Sequence, residues 1–288
     1  MKKNILIGMC ILILFVTACK SQDISSTIDV DFRSGTQGLN LDFLDNLPPA
    51  ETFEGALFVI AAKLTNEGAY EARNIDIQLI GFDPFFFEMN TKLSSLAKLQ
   101  GKELTNPNGE WAILEFPGKN LRIPLSTTKF DFSFLTKVSY DYETIADLDM
   151  CVDTNIYSDL TVDQQSCEAK TSFSLTSQGA PIVVTKVEQT KIPSGDSATL
   201  IYTITVANKG KGKVVGPVRM KEARLANKRL VCRNREIDLN DKETEDDVFV
   251  CSTTEPININ FLSKFSVSLF YRYNVEKKKQ FAVKRFTK

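Results

Sequence analysis

Histidine is absent from the 288 residues, and that absence removes more chemistry than any other feature of the chain. No Ser-His-Asp or Cys-His relay, His-ligated zinc or imidazole pH switch can be assembled without it. Tryptophan occurs once, at Trp111, and no C-x-x-C pair is present to start a thiolate metal site. The formal net charge of −1 and a pI near 5.8 supply no basic field, so no nucleic-acid partner is expected. Carboxylates are plentiful, yet nothing in the sequence picks out one pair for acid–base work. No cofactor is expected.

What is there begins with an address. Lys2 and Lys3 precede apolar residues 5–16, and the run closes on Val16-Thr17-Ala18-Cys19. A charged start, a short apolar core and a small-residue stop are the parts of an export signal. The core is shorter than the roughly 18–20 residues of a spanning helix. Cys19, directly after Ala18, resembles the lipidated cysteine of a lipobox. Residues 1–18 then form the signal peptide, and residues 19–26 the lipidated cysteine and a polar tether. A plain signal peptide with a stray cysteine, or an uncleaved anchor, is the alternative. The expected location is the outer face of the cytoplasmic membrane or the cell surface, with the membrane as a partner through the lipid.

Removing the signal leaves Cys151, Cys167, Cys232 and Cys251 beside the lipidation candidate Cys19. An even set in an exported chain reads as disulfides, and four cysteines allow three pairings. The local pairing is Cys151–Cys167 with Cys232–Cys251, one in each half of the chain.

The chain repeats itself. Ile60, Ala62 and Leu64 alternate towards Asn66-Glu67-Gly68, and Tyr202, Ile204 and Val206 alternate towards Asn208-Lys209-Gly210. Both are period-two strands entering a turn that calls for Gly or Asn at positive φ. Later, Phe134, Thr136, Val138, Tyr140 and Tyr142 match Phe265, Val267, Leu269, Tyr271 and Tyr273. Met150 and Val152 in one half, and Phe281 and Val283 in the other, follow as the second arm of a hairpin-like pair. The Tyr-x-Tyr pairs are expected half-buried with their hydroxyls at the sheet rim. Phenylalanine, valine, isoleucine and threonine favour strands. The fold class is therefore all-β: two tandem immunoglobulin-like β-sandwiches, residues 27–178 and 181–288, meeting near Ser177-Gln178-Gly179-Ala180-Pro181.

Leu64-Thr65-Asn66-Glu67-Gly68-Ala69-Tyr70 followed by Ala72-Arg73-Asn74-Ile75 resembles the strand, N-x-G and A-x-N-V pattern of CARDB-type domains. These are immunoglobulin-like modules of archaeal and some bacterial surface proteins. The resemblance covers most of residues 28–215. It implies a fold and a surface setting and brings no catalytic residues with it.

Three features are candidates for function. Phe85, Phe86 and Phe87 follow Asp83-Pro84, so they cannot all face one core; they form either an exposed partner contact or a cluster capped by a helix in residues 91–104. The acidic run contains Asp238, Asp241, Glu243 and Glu245, which reads as a solvated loop before it reads as a calcium site. Lys209 to Lys213 and Glu276 to Lys279 read as basic turns. The expectation is a non-enzymatic adhesion or scaffolding role through an envelope protein or glycan, with oligomeric state left open. An accessory subunit of a larger envelope machine and a carboxylate-pair hydrolase are the alternatives.

Overall fold

The computed structural model describes residues 32–92, 96–152, 154, 167, 170–239, 248–257 and 261–286. Phe32–Lys288 is one compact unit. It is all-β, and no helix occurs among the described residues. The strands of the first repeat are β1 (Leu39–Phe43), β2 (Glu51–Phe53), β3 (Phe58–Asn66), β4 (Ala72–Ile80), β5 (Glu88–Met89), β6 (Leu96–Leu99), β7 (Trp111–Lys119) and β8 (Lys129–Val152). After β9 (Ser172–Ser174), the second repeat runs through β10 (Ile182–Ser194), β11 (Ser197–Asn208), β12 (Lys213–Leu225), β13 (Lys228–Arg229), β14 (Val231–Cys232), β15 (Glu236–Ile237), β16 (Val248–Ser252) and β17 (Phe261–Lys284).

Two small sheets, β1-β3-β7-β5 and β14-β16-β11-β10-β9, belong to one repeat each. The third is shared: β13-β12-β17-β8-β4-β6, with β15 beside β12 and β2 beside β17. β8 and β17 pair antiparallel along all 24 residues of each, from Lys129↔Lys284 to Val152↔Phe261. At about 3.4 Å per residue that seam is roughly 80 Å long. Tyr140 faces Tyr273 and Tyr142 faces Tyr271, so the repeats are related by a local two-fold across the seam.

The hairpin-like ends expected from the sequence are therefore single strands. No Gly or Pro interrupts residues 129–152 or 261–284, and Phe132 to Ala146 alternate inward without a break. Glu276 to Lys279 lies within β17 and is not a turn. Lys277 pairs with Asp42, and Lys279 donates to the carbonyls of Leu44 and Leu47 (3.3 and 3.4 Å) while its ammonium lies over the Phe43 ring. The helix expected in residues 91–104 is replaced by β6, which pairs with the edge of β4. Leu99 is buried and Leu96 half-buried there, with Ala97 and Lys98 exposed.

Both N-x-G turns are corners that carry the chain from a small sheet into the shared one, and their wiring is the same. Asn66 Oδ1 accepts from Gly68 N (3.2 Å) and Tyr142 Oη (3.0 Å), while Asn66 Nδ2 donates to Tyr70 O (2.7 Å). Asn208 Oδ1 accepts from Gly210 N (3.1 Å) and Tyr273 Oη (2.9 Å), while Asn208 Nδ2 donates to Gly212 O (3.0 Å). None of Asn66, Gly68, Asn208 or Gly210 has positive φ, contrary to the expectation. The glycines are needed for close approach: a Cβ on Gly68 would sit 2.0 Å from Tyr142 Oη, and one on Gly210 2.5 Å from Tyr273 Oη. Positive φ comes later, at Asn74 (49°) and Gly216 (71°), each at a register shift in the strand after its corner.

Candidate functional site

The four tyrosines are fully buried, and not at the rim as the sequence suggested. Tyr140 Oη accepts from Leu39 N (3.0 Å), and Tyr271 Oη meets Thr144 Oγ1 (3.0 Å) and Ile182 N (3.4 Å). Burial pushes all four phenols above their ordinary value, Tyr140 and Tyr271 furthest. They join the layers and present no surface to a ligand.

The three consecutive phenylalanines divide. Phe87 is buried against Phe82, Phe132 and Phe58, with ring centroids at 4.9, 4.5 and 6.0 Å. Phe86 is half-buried beside Phe130 and Phe132. Phe85 is 69% exposed. The cover expected from residues 91–104 comes instead from the phenylalanines of β8, with Phe281 of β17 beside Phe87.

Phe85 belongs to a larger apolar tip, which sequence reasoning missed. The start of β8 and the end of β17 are surrounded there by residues 53–57, 82–87 and 121–128. Arg285 holds them together: its guanidinium pairs with Glu54 (2.7 Å) and donates to the carbonyls of Ile123, Pro124 and Leu125 (3.2, 3.4 and 3.0 Å). Arg285 N donates to Thr128 O (2.9 Å), Gly55 N to Leu121 O (2.8 Å) and Arg122 N to Phe86 O (3.0 Å). The hydrogen bonds from Arg285 hold the Glu54 carboxyl below the usual carboxylate range. On this frame Leu125 is 94% exposed, Leu57 81% exposed, and Phe53 stacks on exposed Phe286 at 4.3 Å. A turn-rich stretch, Pro124-Leu125-Ser126-Thr127-Thr128, with a large apolar residue inside it was the available sequence signal.

The outer face of the shared sheet carries a groove of about 690 Å³ between the repeats. It gathers Glu71, Asp141 and Glu143, the nearest thing to a carboxylate cluster. Each is matched by cations: Glu71 by Arg73 and Lys98, Asp141 by Arg272 (2.9 Å), and Glu143 by Lys221 (3.2 Å). Arg73 foremost, then Lys98, holds Glu71 below the usual carboxylate range. A carboxyl locked in the ionised form is a poor general acid.

Both disulfides are formed in the local pairing, Cys151–Cys167 and Cys232–Cys251. The second joins directly opposed residues and bolts edge strand β14 to β16. Two disulfides are compatible with an extracellular protein. Asp238 lies at the end of the described part of the acidic run; Asp241, Glu243 and Glu245 fall outside the described residues, as does Cys19.

No family model matches the chain, and no curated protein matches it. Solved structures give distant likenesses. The secreted serine protease VesC from Vibrio cholerae is 9% identical over 87% of this chain and 52% of that one, with a TM-score of 0.24. The chain thus spans about half the length of that protease. The sporulation control protein Spo0M from Bacillus subtilis is 12% identical over 59% of this chain and 80% of that one, with a TM-score of 0.19.

Proposed function

We propose that this is an exported, lipid-anchored envelope protein of CARDB-like character that works by binding, as an adhesion or scaffolding element, and not by catalysis. The supporting observation is the apolar tip. Loops are where a sandwich scaffold places variable contacts, and large exposed apolar groups on a pinned frame lose little entropy on docking. The groove's carboxylates, each neutralised by a neighbouring cation, favour binding over carboxylate-pair hydrolysis. The lipobox-like Val16-Thr17-Ala18-Cys19 supports the anchor.

Crosslinking in intact envelopes tests the contact. Phe85→Ser should keep the melting temperature and lose crosslinks to a protein partner. Phe87→Ala should cost about 3–5 kcal/mol, as a core truncation does. Crosslinks unchanged by Phe85→Ser would remove the tip from the reading. Mass spectrometry of the mature N-terminus tests the anchor, and an unmodified Cys19 would end it.

A further inference from the structure

We propose that the open edge of β7, from Trp111 to Glu115, takes up an extended segment of another protein as an added antiparallel strand. The surface is separate from the apolar tip and does not depend on it. Asn66 N donates to Glu110 O (2.9 Å) and the β3–β7 register is unbroken, so the even-numbered residues of β7 bond to β3. Trp111, Ile113 and Glu115 therefore turn N–H and C=O to the other side. Among the described residues the strand on that side is β5, which reaches only Gly118 and Lys119. Pro117, with no N–H to offer, bounds the open stretch. An unpaired row of backbone groups is a ready surface for a further strand.

The second repeat indicates the occupant. Leu114 pairs with Ala62 and Phe249 with Ile204, each four residues before its corner asparagine, so β7 and β16 correspond. The edge of β16 is filled by residues 231–234. β14 pairs with Ser252 and Cys251, Arg233 N donates to Val250 O (2.8 Å), and the Asn234 side chain bonds Val250 N (3.1 Å) and Val248 O (2.8 Å). In the first repeat the chain leaves β7 after Met89 and crosses to the shared sheet, where Lys92 bridges Gln78 and β6 pairs with β4. Glu115 and Ile113, the counterparts of Val250 and Val248, are left without that cover.

The side chains specify the segment further. Trp111 (55%) and Ile113 (40%) are exposed on the outer face beside Glu115, and Lys63 Nζ lies over the Trp111 ring (5.0 Å). No cation pairs with Glu115 among the described residues. The segment thus carries Lys or Arg opposite Glu115, where Arg233 bonds Val250 in the second repeat, and β-branched residues opposite Ile113 and Trp111. A second β7 does not supply that cation. Its outward residues are Trp111, Ile113, Glu115 and Pro117, then Lys119, which β5 covers and Glu88 faces (3.8 Å).

The test uses the full-length chain and a capped synthetic peptide, Thr-Arg-Thr-Val-Thr-Val-Thr. Adding the peptide should slow amide hydrogen exchange across residues 111–115 and leave residues 248–252 unchanged. Methylating the backbone nitrogens of its Arg and both Val residues removes the donors to β7 and should abolish the protection. Glu115→Lys should weaken binding roughly fivefold with an unchanged melting temperature, and a peptide with Glu in place of Arg should restore it. No protection at about 1 mM peptide, or equal binding by the methylated peptide, overturns the proposal. Protection of residues 111–115 without peptide, rising with protein concentration, gives the edge to a second copy and overturns it too. In intact envelopes, a photoreactive residue in place of Ile113 should crosslink to an extended, Lys- or Arg-bearing segment of a different protein, in competition with the peptide. Capture of the chain's own copies, or of nothing, overturns the proposal.

Discussion

The two corners of this molecule have the same hydrogen bonds and different surroundings. At the first, Asn66 is fully buried and donates a further bond to Leu99 O of β6 (2.9 Å), and a Cβ on Gly68 would also meet Gln37 O and Gly179 O. At the second, Asn208 is exposed among Lys209, Lys211 and Lys213, and the turn borders a hollow of about 230 Å³. The difference comes from what wraps each corner. Gly179 O accepts from Ala69 N (2.7 Å) and Gly35 O from Gly179 N (2.9 Å), so two further segments cover the first turn. Identical local wiring should therefore carry different energies, because an unmade hydrogen bond costs most where water cannot replace it.

The largest effect should come from alkali, which tests whether the repeats share one core. Burial raises the phenols of Tyr140, Tyr142, Tyr271 and Tyr273 above 10.0, so the folded state holds protons that the unfolded state has lost. Their stabilisation is whole below pH 10 and disappears as pH climbs through the folded values. Phenolate absorbance and loss of β-sheet circular dichroism should rise in one transition. Two separated transitions, one per repeat, would break the seam as the organising contact.

Smaller, and aimed at the corners themselves, is the pair Asn66→Ala and Asn208→Ala. Removing Asn66 strands Tyr70 O, Leu99 O and Gly68 N away from water and should cost about 3 kcal/mol, whereas Asn208→Ala should cost about 1 kcal/mol. Urea titration reads both, and equal losses would show that wrapping does not matter. The smallest effect is a gain. Thr136 corresponds to Val267 across the two-fold, both are fully buried, and Thr136 Oγ1 has no hydrogen-bond partner. Thr136→Val should stabilise by about 1 kcal/mol, measurable as a raised melting temperature.

Much of the scaffold was legible in the primary sequence. Alternating apolar residues marked β3 and β11, the Asn-x-Gly pairs marked both corners, and the cysteines of each half were correctly paired. Legibility failed where a strand ran further than expected. Charged residues such as Glu276 to Lys279 looked like a turn, yet Lys277 and Lys279, on the same face as Tyr273 and Phe281, are held by Asp42 and by the carbonyls of Leu44 and Leu47, Glu276 and Lys278 are exposed, and no Gly or Pro ends the strand. It failed again for the tip, because Glu54 and Arg285 are 231 positions apart and no local pattern connects them.

By itself, then, the sequence determined strand periodicity, the repeat and the exclusion of histidine chemistry, since each depends on residue type and short spacing alone, while it narrowed the disulfides to three pairings of which the structure has the local one. Only the tertiary structure decided that β8 and β17 form one seam, that the tyrosines are buried, and that Phe85 and Leu125 stand exposed on a frame held by Arg285. Those outcomes depend on which strand edges and loops meet across more than a hundred residues. That meeting is settled by packing and hydrogen bonding over the whole fold, which no window of the chain contains.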